Sequence, residues 1–214
     1  MLEGRKSQFV EELVKQGATA QKASAEVDLA IDRCVYYAGW CDKYQQVFSS
    51  VNPVASSHFN FSALEPMGVV GIIAPQTNSL IGLVSTILPV IAGGNSCVVL
   101  AAEQLPLCAI TFAEVLATSD LPGGVVNILT GSEKELIDAF HAHMDINAVL
   151  YAGENDEYAR KLEEGAACNV KRIIRYVGGL TKTTDESPYY INDFQEVKTT
   201  WHPIEHVGGA TSSY

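Results

Sequence analysis

From Pro66 to Ala102 the sequence contains no charged residue at all. An uncharged run of this length belongs either in a bilayer or inside a folded core. A membrane-spanning helix needs about 20 continuous, predominantly apolar residues. Here Pro75, Gln76, Thr77, Asn78, Pro89, Gly93, Gly94 and Asn95 cut the run into shorter pieces. Strands of a parallel sheet, buried on both faces by crossover helices, suit such pieces. The run therefore predicts the core of an α/β protein and no membrane segment.

The chain on either side agrees. Val69–Ala74, Cys97–Leu100, Val125–Leu129 and Ile146–Leu150 are short, mostly apolar runs of strand length, and Val170–Val177 is read as a fifth strand. Segments 80–91, 107–117, 132–143 and 155–167 between them carry helical periodicity. Strands alternating with helices this short predict crossover connections and a doubly wound, five-stranded parallel sheet. Before it, residues 7–16 and 21–43 read as two helices, the second with an apolar stripe of Val27, Ala30, Ile31, Cys34, Val35 and Ala38. Residues 44–64 lose that period and mix Ser, Asn and Pro with Val51, Val54, Phe59 and Phe61, which predicts a short strand pair. After the fifth strand, 178–192 is turn-rich and 194–202 alternates as a strand. The expected organisation is N-terminal helices in 1–46, a β arm in 47–64, the α/β domain in 65–179, a loop in 180–192, a C-terminal strand in 193–204 and a frayed tail in 205–214.

A net charge of −11, from 25 acidic against 14 basic residues, repels phosphate backbones and argues against nucleic-acid binding. The opening residues MLEGRKSQ lack the apolar core of a signal peptide. Cys34, Cys41, Cys97, Cys108 and Cys168 follow no zinc or disulfide spacing, so reduced thiols and a cytoplasmic location are expected. His141 and His143 fall at a helix end, where imidazoles stabilise terminal carbonyls, and no metal site is expected. No glycine-rich phosphate loop follows the first strand. Cys168 has no neighbouring base, and no catalytic residue stands out from the composition or spacing.

One resemblance adds to this. Glu65-Pro66-Met67-Gly68-Val69-Val70-Gly71, Gly93-Gly94-Asn95, Ala102-Glu103-Gln104-Leu105-Pro106-Leu107, Leu121-Pro122-Gly123-Gly124-Val125-Val126-Asn127, Tyr151-Ala152-Gly153 and Asn169-Val170-Lys171-Arg172 through Val177-Gly178-Gly179 resemble, in order, the motif series of the aldehyde dehydrogenase superfamily. The likeness covers about 25–179 and implies a Rossmann-like sheet with a small β oligomerisation arm and a C-terminal strand. It places a vestigial cofactor site at Ala74, Pro75, Glu103, Gly131 and Gly153.

The departures from that pattern shape the functional expectation. Thr77 stands where the family has its oxyanion-binding asparagine, and Tyr176 where it has its general-base glutamate. Leu100 replaces the lysine that reaches the adenosine ribose. Glu154 falls at the serine beside the pyrophosphate, where a carboxylate repels phosphate. The family's catalytic domain, with its nucleophilic cysteine, should follow Gly179; about fifteen polar residues stand there instead. The resemblance thus implies a catalytically inactive subunit with a structural or regulatory role, no cofactor and no catalytic residue. Its oligomerisation surface would be Val51, Phe59, Phe61, Val197 and Trp201, with Gln195, Val197, Thr199 and Trp201 turned toward the protein. The expected partner is a full-length aldehyde dehydrogenase or a second copy. Two alternatives stand beside it: an NAD(P)-dependent aldehyde oxidoreductase completed by a partner chain, and a small-ligand binding module.

Overall fold

The computed structural model describes residues 1–204, so the expected frayed tail at 205–214 lies outside the described residues. A turn of 3-10 helix at Glu3–Arg5 leads into α1 (Lys6–Lys15), α2 (Ala20–Ala38) and the short α3 (Tyr44–Phe48). Strands β1 (Ser50–Asn52) and β2 (His58–Pro66) follow. The alternating part is β3 (Val69–Ile73), α4 (Ile81–Ala92), β4 (Ser96–Leu100), α5 (Leu107–Ala117), β5 (Val126–Leu129), α6 (Glu133–Ala142), β6 (Ala148–Tyr151), α7 (Asp156–Ala166) and β7 (Arg172–Arg175). A single helical turn, α8 (Tyr189–Asn192), precedes β8 (Gln195–Pro203).

The large sheet has the order β5-β4-β3-β6-β7 and is parallel throughout. The chain moves outward from β3 in one direction, then returns to β3's other side for β6 and β7. That reversal puts the topological switch point between β3 and β6. One face packs on α4 and α5, with α1 and α2 stacked outside them, in a core that includes Phe9, Val27, Val84, Ile87 and Phe112. The other face, with Ile73, Leu100, Val149 and Tyr151, packs on Ile137 and Phe140 of α6 and Leu162 of α7.

The second sheet is antiparallel in the order β1-β2-β8, with His58 opposite Pro203 and Pro66 opposite Gln195. Buried Asn95 ties it to the large sheet: its side chain accepts from the Gly68 amide at 3.0 Å and donates to the Phe194 carbonyl at 3.0 Å. Gln195 Nε2 donates to the Gly93 carbonyl at 2.9 Å.

Several local expectations are corrected. The helix expected over 21–43 ends at Ala38, and α3 forms separately across the expected start of the arm. The buried face of α2 is Ala23, Val27, Ala30, Arg33 and Tyr37, while Val35 is exposed. The stripe rotates because the polar ends of Arg33 and Tyr37 find backbone carbonyls in residues 182–187, far away in sequence. The fifth strand is only Arg172–Arg175; Val170 sits before it at φ 57° with its side chain 94% exposed. The expected inward set on β8 does not face the body: Val197 is 65% and Trp201 57% exposed. They share a face with buried Leu64 and Asn60, but beyond Gln195 the residues of β8 itself are exposed, Thr200 excepted.

Candidate functional site

Open parallel sheets bind ligands outside the carboxyl ends of their strands at the switch point. Here that edge is built from the ends of β3, β4 and β6. Ala74 continues β3 far enough to donate its amide to the Leu100 carbonyl at 3.0 Å, and Ala152 donates to the Ile73 carbonyl at 2.9 Å. Ala74 and Pro75 are buried, so they shape the floor and offer no functional group. Gln76 staples two loops together. Its Nε2 donates to the Ala74 carbonyl at 2.9 Å, and its Oε1 accepts from the Glu103 amide at 2.9 Å. The Glu103 residue itself stays exposed at the rim. Glu133, in the first turn of α6, lies close by. Burial pushes its carboxyl above the usual range; the neighbouring Tyr151 hydroxyl opposes that, and the Glu103 charge adds to it.

The end of β6 is filled from within. The Tyr151 hydroxyl donates to the Asn155 carbonyl at 3.2 Å and accepts from the Asn155 amide at 3.1 Å. A Cβ on Gly153 would stand 2.6 Å from that hydroxyl, so only glycine lets the tyrosine lie there. Asn155 is the N-cap of α7: its Oδ1 accepts from the Glu157 amide at 2.9 Å and the Tyr158 amide at 3.3 Å. These are the donors a helix N-terminus would offer an anion. The cap was legible as Asn155-Asp156-Glu157, an N-cap residue followed by an acidic first turn.

Three residues singled out for the site make structural contacts. Leu100 is fully buried in the α6 face of the core, beside Ile73 and Tyr151. Gly131 packs against Leu136, where an added Cβ would meet the leucine methyl at 3.3 Å. Tyr176 is buried past the end of β7. Its hydroxyl donates to Asp193 Oδ2 at 2.8 Å, and burial first, then the Asp193 charge, push the phenol far above its ordinary range.

Burial also raises the thiols of Cys34 to about 11 and of Cys97 and Cys108 to about 12. None of these three is a thiolate at neutral pH. Cys41 and Cys168 are exposed, the latter just past the C-terminal end of α7 and so at the opposite edge of the sheet. His141 pairs with Asp138 at 3.2 Å on α6. Among the described residues no group of three or more His, Cys, Asp or Glu could hold a metal ion. None of their helices is long and apolar enough to cross a membrane.

The small sheet separates the five residues expected to form one oligomerisation surface. Val51, Phe59 and Phe61 line a shallow apolar cavity of about 350 Å³, with the two phenylalanine rings 5.6 Å apart. Val197 and Trp201 lie opposite Leu64 and Asn60, on the other face, where Trp201 meets the His58 ring edge-on at 5.8 Å. The outer edge of β8 has no strand partner among the described residues.

Residues 1–184 match the model of the aldehyde dehydrogenase family. Aldehyde dehydrogenase 1A1 of Homo sapiens is 37% identical over 145 residues, covering 67% of this chain and 28% of the human protein. An aldehyde dehydrogenase of Alternaria alternata is 30% identical over 190 residues, covering 86% of this chain and 38% of its own length. Among solved structures, the NAD+ complex of an aldehyde dehydrogenase from Bacillus cereus superposes with a TM-score of 0.76 at 26% identity, over 83% of this chain and 36% of that one. The chain thus spans about a third of the length of the relatives it matches.

The expectation of no cofactor is overturned by this finding, since the matched fold is one solved with NAD+. One of its physical premises fails as well. Glu154 was expected to open the helix and set a carboxylate in the pyrophosphate seat, but it lies outside α7, exposed, and the neutral Asn155 amide is the cap.

Proposed function

The chain belongs to the aldehyde dehydrogenase family, and on that premise we propose that it is a subunit without aldehyde-oxidising chemistry of its own, supplying a nucleotide-type domain and a strand-donating sheet to a larger assembly. Tyr176 carries this reading. Where the family resemblance calls for a general base, the side chain is a buried phenol committed to Asp193. A water-activating base needs a pKa near the working pH, and this phenol, raised far above its ordinary range, stays protonated with its hydrogen given to Asp193. The shielded cysteines support the same conclusion, because a thiol raised to about 12 is a poor nucleophile.

The ligand class proposed for the carboxyl edge is an NAD-type dinucleotide. The residues present fit its sugar end: Glu103 sets an exposed carboxylate at the rim, the group type that accepts hydrogen bonds from ribose hydroxyls. Pro75 and Gly131 border the same edge. When bound, such a group accepts a hydride; what this chain contributes is to hold and orient it. The α7 amides are already satisfied by Asn155, so the diphosphate must take its contacts elsewhere or displace that cap.

The partner we propose is a full-length aldehyde dehydrogenase, with a second copy as the other outcome. The open edge of β8 favours strand addition, and an exposed edge of this length is a pairing hazard when nothing covers it. Light scattering of the chain alone and mixed with the host's aldehyde dehydrogenase tests this, with Val197→Lys/Trp201→Ser as the control. A mixed complex that the double variant loses supports the reading. A chain that stays monomeric in both samples refutes it.

A further inference from the structure

Arg33 is a fully buried arginine in the middle of α2. Its guanidinium donates to the backbone carbonyls of Asp185 and Lys182, the latter at 2.7 Å, and its Nε stands 3.6 Å from the Glu186 carboxylate. Two further contacts hold the same segment. Ser85 of α4 donates to the Leu180 carbonyl at 3.2 Å, and Tyr37 donates to the Ser187 carbonyl at 3.4 Å. The segment also closes on itself, because Asp185 Oδ2 accepts from the Lys182 amide at 2.9 Å.

The far end of this segment touches the ligand edge. Gly178 and Gly179 have φ of 90° and 72°, a region that glycine enters freely and that makes the pair a natural hinge. A Cβ on Gly179 would lie 3.2 Å from Asn78 Nδ2 and 3.7 Å from Thr77 Oγ1. Asn78 Oδ1 accepts from the Gly82 amide at 2.6 Å, but its Nδ2 is shielded from water and has no hydrogen-bond partner among the described residues. A buried donor without an acceptor is costly, and hydration on opening removes that cost. Residues 181–184 are exposed and contribute no side chain to the core. Leu180 is the one side chain the segment buries in the core, at 4% exposure, so opening must withdraw it. Apart from Leu180 the segment is held by a few polar anchors and starts at a hinge, the profile of a unit that opens locally while the rest stays folded.

We propose that residues 178–187 form a strap, latched by Arg33, that opens as a unit and uncovers the Asn78 amide at the carboxyl end of β3. This inference is independent of the cofactor and of any partner. Trypsin reads the latch directly, because the carbonyl of the Lys182–Thr183 bond is one that Arg33 holds, and the protease must take that carbonyl into its own site. Cleavage after Lys182 should be at least tenfold faster in Arg33→Met than in the wild type, with Arg33→Lys between them. Hydrogen exchange followed by mass spectrometry should show 178–187 and 75–82 accelerating together. If Arg33→Met does not fold, Tyr37→Phe/Ser85→Ala takes its place, with a severalfold gain expected in both readouts. Unchanged cleavage in a folded variant overturns the latch. Faster exchange in 178–187 with none in 75–82 overturns the shielding of Asn78.

Discussion

The Tyr176 hydroxyl donates to the Asp193 carboxylate at 2.8 Å. Tyr176 follows the last strand of the large sheet, and Asp193 stands just before the last strand of the small one, 17 residues on. The bond therefore joins the two sheets at the point where the chain passes between them. Arg172 of β7 reinforces the junction, donating to the carbonyls of Asp193 and Gln195 at 2.9 and 2.8 Å. A position that the resemblance assigns to chemistry serves here to hold the structure together.

Replacing Tyr176 by Phe leaves Asp193 without this donor. Loss of a hydrogen bond to a charged group costs about 1.5–3 kcal/mol, which for a chain of this size lowers Tm by roughly 3–12 °C. Calorimetry checks it. Tyr176→Glu should be worse, and worse in a pH-dependent way. Two carboxyls in contact raise the pKa of at least one above its unfolded value. Its charged form is then disfavoured in the fold, so stability falls as pH rises through the range between the two values. The Tm deficit of Tyr176→Glu should accordingly be larger at neutral pH than at mildly acidic pH.

The thiols give a second expectation. Cys41 and Cys168 are exposed, whereas burial holds Cys97 and Cys108 up at about 12 and Cys34 at about 11. A disulfide reagent applied to the native chain at mildly alkaline pH should modify Cys41 and Cys168 quickly and the other three only as fast as the protein opens. Rapid modification of all five thiols would contradict the packing described.

Glu103 offers a third. If its carboxylate receives ribose hydroxyls, NAD should raise the Tm of the wild type. Glu103→Ala should shrink the response by an affinity loss of roughly tenfold or more, the worth of about 1.5–3 kcal/mol in a charge-assisted hydrogen bond. An equal shift in both proteins would place the nucleotide elsewhere. Leu100→Lys is not a way to strengthen it, because that side chain points into the α6 face of the core.

The parallel sheet was legible because its strands are short apolar runs that only double burial explains, as in Val69–Ile73 and Ser96–Leu100. The pairing of the tail with the arm was equally legible, and Asn60 does stand opposite Trp201. Long-range polar contacts were not. Nothing local says that Arg33 meets Lys182, 149 residues on, so the apolar stripe read on α2 finds the core at Val27 and Ala30 but runs on to exposed Val35 and Ala38. Tyr151 gave no sign of its role either, because a strand-ending tyrosine reads as core until the Asn155 backbone is found above it. At β8, alternation assigned residues to faces correctly but said nothing of how little covers the strand beyond Gln195.

The proposed function holds only if this chain, alone, does not oxidise aldehydes. The direct measurement is NADH formation by the purified chain with NAD and a panel of short aliphatic and aromatic aldehydes. Turnover below about 0.1 per second is expected, set against a typical enzyme value near 10 per second. Turnover above that, retained in Tyr176→Phe and lost on mutation of any one cysteine, would contradict it and identify a nucleophile within these residues.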